Sequence, residues 1–168
     1  RRCKPPKSGN TTIKLIVREL PASKRIALVA HDNMKGLMLS WAKKNRDHLA
    51  KHQLVATGTT GYLLESELDL SIDKLFSGPL GGDQQIGAEI AEGKTHGLFF
   101  FWDPFEPLPH DPDIKALLRI AAVWNIPVAC NPATAELLLT SEGFNAPCEV
   151  EVPDYDLYLK ERADTLLS

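Results

Sequence analysis

Residues 25 to 41, RIALVAHDNMKGLMLSW, decide the fold. Arg25 to Ala30 is an apolar run of strand length, and after it Met34, Leu37, Met38 and Trp41 recur at the spacing of one buried helix face. A strand that turns straight into an amphipathic helix is the building unit of a parallel sheet covered by helices. Working outward, the same reading predicts strands at Gln53 to Ala56, Ile72 to Phe76, Gly97 to Trp102, Pro127 to Ala129 and Glu149 to Val152. Helices fill the gaps. The clearest is Pro112 to Trp124, where Ile114, Leu117, Leu118 and Ala121 form an apolar stripe behind a proline start. The fold class is therefore α/β with a mostly parallel sheet.

Length and composition bound the rest. At 168 residues and 43% apolar content the chain suits one domain with a sizeable core. Its longest apolar stretches fall far short of the roughly 20 residues of a membrane span, which predicts a soluble protein. Cys3, Cys130 and Cys148 are odd in number and lack metal-ligand spacing, so neither a disulfide framework nor a zinc site is expected, and a reducing cytoplasm fits best. The net charge of −3 hides an asymmetry: residues 1 to 24 hold seven Lys/Arg against Glu19, a local +6, which leaves −9 for the remainder. So acidic a body disfavours nucleic acid and favours a small anionic ligand held by a few local donors. Residues 1 to 12, basic and rich in Pro, Ser and Gly, read as a flexible tail that is no secretory signal.

In open parallel sheets, ligands bind beyond the carboxyl ends of the strands. The turns predicted there hold the unusual residues: His31-Asp32-Asn33-Met34-Lys35, Thr57-Gly58-Thr59-Thr60-Gly61, Ser77-Gly78-Pro79-Leu80-Gly81-Gly82-Asp83, and Asp103-Pro104 followed by Pro109-His110-Asp111-Pro112-Asp113. The Thr/Gly and Ser/Gly turns supply backbone N–H groups and hydroxyls at helix starts, and Lys35 adds a charge, which together suit a phosphate. Taken singly, the same residues serve equally as helix caps and turn formers. Neither turn has the Walker or the GxGxxG pattern, so nucleotide binding is not indicated. Asp83 sits where a carboxylate reaches the rim as a base, and also where Asp most often caps a helix. Asp111 and Asp113 carry the same ambiguity. His110, a titratable ring between prolines, can polarise a carbonyl and relay a proton. His31 reads as a pocket residue or a structural one; His48, His52 and His96 read as surface residues.

Together LVAHD at 28 to 32, ATGTTG at 56 to 61, SGPLGGDQQIGA at 77 to 88, FFWDP at 100 to 104 and PHDPDIKALLR at 109 to 119 resemble the methylglyoxal synthase family. VWNIPVA at 123 to 129 and PDYDLYLKER at 153 to 162 extend the likeness to nearly all of residues 13 to 168, the expected catalytic domain. The resemblance implies a single Rossmann-like three-layer domain with about five strands. It also implies a homohexamer, no metal or organic cofactor, inhibition by phosphate, and conversion of dihydroxyacetone phosphate to methylglyoxal and phosphate. On the family's motifs Asp83 is the catalytic base, His110 its proton-handling partner and Asp113 a supporting carboxylate. Lys35, Thr57, Gly58, Thr59, Thr60, Ser77 and Gly78 hold the phosphate, and His31 and His110 line the substrate pocket. The basic tail is not usual in the family. The competing reading is a regulatory ligand-binding domain of the same superfamily, such as the terminal module of carbamoyl-phosphate synthetase, which needs no Asp83 with His110. The C-terminal segment Pro153 to Arg162 is the candidate for communication between subunits.

Overall fold

The structure, a computed structural model, describes residues 13–106 and 111–167. The chain runs β1 (Leu15–Leu20), β2 (Arg25–Ala30), α1 (Lys35–Lys44), α2 (Arg46–Leu49), β3 (Gln53–Thr57), α3 (Gly58–Leu68), β4 (Ile72–Leu75) and α4 (Gly82–Ala91). It continues with β5 (Gly97–Phe101), α5 (Asp111–Val123), β6 (Val128–Ala129), α6 (Pro132–Thr140), α7 (Glu142–Asn145), β7 (Cys148–Pro153) and α8 (Tyr155–Leu167). Two 3-10 turns, Asp32–Met34 and Gly78–Leu80, precede α1 and α4. Five strands form one parallel sheet in the order β4-β3-β2-β5-β6.

Side-chain alternation along the strands makes the three layers. Ile26, Leu28 and Ala30 of β2, with Phe99 and Phe101 of β5, pack on one face against Met38 and Trp41 of α1, Leu64 of α3, Leu139 of α6 and Phe144 of α7. Ala27, Val29, Leu98 and Phe100 point the other way, against Ile86 and Ile90 of α4 and Ile114, Leu117 and Ala121 of α5. Phe99, Phe100 and Phe101 are each wholly buried, and removing one such ring costs about 3–5 kcal/mol. The sheet is thus held by a central strand pair that is apolar on both faces, as parallel sheets are.

The main strands begin and end within a residue of the sequence reading. Three features depart from it. β1 was not anticipated; it pairs antiparallel with β7 as a separate two-stranded ribbon, so the expected strand at 149 to 152 stands outside the main sheet. Leu37 is exposed, because Met38, Trp41 and Ala42 already fill the inward face of α1. His48, His52 and His96 are all half-buried and not surface residues; Nδ1 of His52 and of His96 accepts the backbone N–H of Lys24 and Arg25 at 3.0 and 2.9 Å. The predicted tail, residues 1 to 12, lies outside the described residues.

Candidate active site

The chain passes from β4 at one side of β2 to β5 at the other, so the order of strands reverses between β2 and β5. That reversal leaves a crevice beyond the strands' carboxyl ends, the usual ligand position in such sheets. A cavity of about 540 Å³ lies there. It is lined by His31, Asp32, Asn33 and Lys35 of the first turn, Thr57 to Thr60 of the second, Ser77 to Pro79 and Asp83 of the third, and Asp103 of the fourth.

Close approaches between backbones shape it. Gly58 has φ +47°, and a Cβ there would come 2.5 Å from Ser77 Oγ, so the second and third turns touch through a missing side chain. The Gly58 N–H donates to the Phe76 carbonyl at 3.2 Å, which fixes that approach. At Gly82 a Cβ would lie 2.0 Å from the Phe76 carbonyl oxygen. Only glycine lets the chain double back there and start α4 beneath the turn. Gln85 Oε1 then accepts the Phe76 N–H at 2.9 Å and closes the loop.

Asp83 is 6% exposed, in the first turn of α4. It is not the helix cap, since Gly81 occupies that position. Its carboxylate instead lies over Gly78, where an added Cβ would meet both oxygens at 3.2 Å. Nor are the hydroxyls of Thr57 and Ser77 used for capping, although both residues stand at N-cap positions; Asn131 and Ser141 do cap α6 and α7 with their side chains. Lys35 Nζ bonds Asp32 Oδ1 at 2.7 Å and Thr59 Oγ1 at 2.5 Å, bringing the first turn to the second. The Asp32 carboxyl is held below the usual range by that lysine. The starts of α1, α3 and α4 converge on the cavity, and their dipoles favour an anion.

The cavity therefore gathers His31, Lys35, Thr57, Gly58, Thr59, Thr60, Ser77, Gly78 and Asp83. Asp113 is half-buried in the first turn of α5 and is not among the lining residues; His110 lies outside the described residues. Sequence reasoning placed Asp103 in a rim turn but gave it no role; it is 8% exposed and lines the wall. Its place just past the end of β5 was the available signal. The Phe105 N–H, with the Asn33 amide, holds the Asp103 carboxyl below the usual range. Among the described residues no cluster of three or more His, Cys, Asp or Glu could hold a metal ion. The arrangement can bind a small phosphorylated molecule through Lys35 and the hydroxyl turns while presenting a carboxylate base to it.

Residues 37–130 match the model of the MGS-like domain family. The chain is 63% identical over 144 residues to the methylglyoxal synthase of Cellvibrio japonicus, covering 86% of this chain and 94% of that protein. It is 57% identical over 147 residues to the methylglyoxal synthase of Saccharophagus degradans, covering 88% and 96%. The crystal structure of methylglyoxal synthase from Elizabethkingia anophelis superimposes with a TM-score of 0.80 at 49% identity, covering 86% of this chain and 95% of that one.

Proposed function

The chain belongs to the methylglyoxal synthase family of lyases, and from that premise we propose that it converts dihydroxyacetone phosphate into methylglyoxal and inorganic phosphate in the cavity beyond β2 and β5. The observation that carries the site is the meeting of a buried carboxylate, Asp83, with the Lys35 and Thr/Ser turns in one cavity of substrate size. Asp83 takes a proton from the hydroxymethyl carbon, and hydrogen-bond donors stabilise the charge that develops on the oxygens, giving an enediolate. His110 is the proposed proton-handling partner and Asp113 the proposed supporting carboxylate, both on the family's motif. The enediolate electrons then expel phosphate from C1, leaving the enol of methylglyoxal, which gains a proton at carbon to become the product. Expulsion requires the C–O bond to stand perpendicular to the enediolate plane. The Lys35, Thr57 to Thr60, Ser77 and Gly78 cradle sets that orientation and so selects elimination. No step calls for a metal or an organic cofactor.

Free phosphate fits the same cradle and is proposed as an inhibitor. A homo-oligomer, a hexamer by likeness to the family, is supported by apolar surface that the described residues of one chain leave uncovered. Leu15, Ile16 and Val17 of β1 are 48–58% exposed, and α8 buries none of its residues. Cys130 and Cys148 are free, which supports a cytoplasmic setting. No described helix is long and apolar enough to cross a membrane. Purified protein given dihydroxyacetone phosphate, with the 2-oxoaldehyde trapped and phosphate assayed in parallel, should yield the two products in equal amounts. Phosphate binding without turnover would leave the regulatory-domain reading instead.

A further inference from the structure

At the point where strand order reverses, the His31 ring is held by groups that the proposed mechanism does not use. The backbone N–H of Asp103 donates to His31 Nδ1 at 3.1 Å, while the backbone N–H of His31 donates to the Phe101 carbonyl at 3.2 Å and anchors the main chain beneath the ring. Asp103 is itself fixed on both carboxylate oxygens: Oδ1 accepts the Phe105 N–H at 2.9 Å and Oδ2 accepts the Asn33 amide at 3.0 Å. A carboxylate that only shaped its own turn would bond within that turn. This one reaches Asn33, seventy residues away in sequence, and so ties the turn after β5 to the turn after β2.

A ring nitrogen that accepts a hydrogen bond carries no proton, so a neutral imidazole so held has its hydrogen on the other nitrogen. A protonated ring would set two N–H groups head to head at Nδ1. We propose that Asp103, tethered by Asn33, is a positioning residue that fixes His31 as the neutral tautomer protonated at Nε2, so that His31 serves the substrate as a hydrogen-bond donor and neither as a base nor as the cation that balances phosphate. The proposal rests on the reading of this cavity as the dihydroxyacetone phosphate site. It divides the work there: Lys35 supplies charge, Asp83 takes the proton, and His31 donates to an oxygen without competing for that proton.

Nitrogen-15 spectra of the histidine rings, recorded on the whole protein at pH 7 and assigned by the signal lost in His31→Gln, read the tautomer directly. The expected wild-type signature is an acceptor-type Nδ1 and a protonated Nε2. Asp103→Ala and Asn33→Ala should shift that signature toward a mixture of tautomers and lower kcat, by up to about 10²-fold where the ring is displaced by an ångström, while phosphate still raises the melting temperature. Asp103→Asn, which keeps an oxygen for Phe105, should recover part of the loss, and His31→Gln, which can still donate near the Nε2 position, should outperform His31→Ala. A wild-type ring protonated at Nδ1, or doubly protonated, overturns the proposal. So does an Asn33→Ala or Asp103→Asn protein with unchanged spectrum and unchanged kcat, variants that serve if Asp103→Ala fails to fold. A wild-type protein that leaves dihydroxyacetone phosphate intact overturns the substrate reading instead, and the spectrum still decides the tautomer.

Discussion

At the scale of single residues, Asp83 and Lys35 make separable demands. Asp83 is buried against Gly78 and caps no helix, so its removal should spare folding and strike the reaction. Asp83→Asn, nearly the same in shape but unable to accept a proton at the reacting carbon, should lose about 10²- to 10⁴-fold in kcat with an unchanged melting curve. Activity near that of wild type in the folded variant would remove Asp83 from its role. Phosphate, binding the native cradle and not the unfolded chain, should raise the melting temperature. Lys35→Ala removes the cradle's lysine and a charge-assisted bond of about 1.5–3 kcal/mol, so phosphate binding should weaken roughly tenfold to a hundredfold. The melting shift given by phosphate should shrink accordingly in Lys35→Ala and persist in Asp83→Asn; equal shifts in all three proteins would dissociate Lys35 from the anion. Sequence placed these two residues at the rim because each follows a strand end, but it could not separate base from cap at Asp83. The structure excludes the cap, since Gly81 takes that position, and Gly78 lets the carboxylate lie over the turn; the role of base stays a proposal. Asp103 was placed at the rim in the same way, but no role could be read for it, because its partner Asn33 is distant in sequence.

At the scale of elements, strand and helix were legible where one period dominates, as in the wholly apolar β5 and the stripe along α5. β1 was not, because LIVREL follows no two-residue alternation of burial and its partner β7 lies at the other end of the chain. Nothing local specifies so distant a pairing. The turns obey a different constraint, which two glycines expose. At Gly82 an added methyl would overlap the Phe76 carbonyl, whereas at Gly36, in the first turn of α1, it would meet nothing within 4 Å. Gly82→Ala should therefore cost at least about 1–3 kcal/mol by overpacking and should also displace Ser77, Gly78 and Asp83, lowering kcat. Gly36→Ala, by contrast, should stabilise by about 0.4–1 kcal/mol through the reduced freedom of the unfolded chain. Urea midpoints of the two variants give the comparison; a Gly82→Ala protein as stable and as active as wild type would mean the loop has another way to enter α4.

At the scale of the whole molecule, the two ends of the sheet respond to different chemistry: the carboxyl ends carry the proposed anion site, and the amino ends carry histidines. His52 stands just before β3 and His96 just before β5, the two neighbours of β2, and each accepts a backbone N–H from the start of β2. The far side of His52 meets Asn145 Oδ1 at 3.0 Å; the Asn145 amide nitrogen is committed to the Leu139 and Ser141 carbonyls, so the ring's proton belongs on Nε2. Burial is the first cause that pulls both imidazoles below their ordinary value. Lys24, Lys51 and His48 add to it at His52 against the Asn145 bond, and Lys24, Arg18 and Arg25 add to it at His96 against a bond to the Gly93 backbone. The sign follows from linkage. Above about pH 6.5 both rings are neutral in the folded and unfolded chain alike and stability does not depend on them. As pH falls below that value the unfolded chain takes up protons that the native rings refuse, so stability drops until the native values are themselves crossed. The carboxylates act lower still: Asp32, Glu65, Glu136 and Asp103, drawn down first by Lys35, Lys74, Asn45 and the Phe105 N–H respectively, keep their contribution until pH falls below about 4.5. The interval from pH 7 to pH 5 thus isolates the histidines. Wild-type melting temperature should fall across it, and the double variant His52→Asn with His96→Asn, whose amide oxygens replace the Nδ1 acceptors without titrating, should flatten the fall even if it lowers stability at pH 7. A double variant that loses as many degrees between pH 7 and pH 5 as the wild type would place the acid sensitivity elsewhere in the molecule.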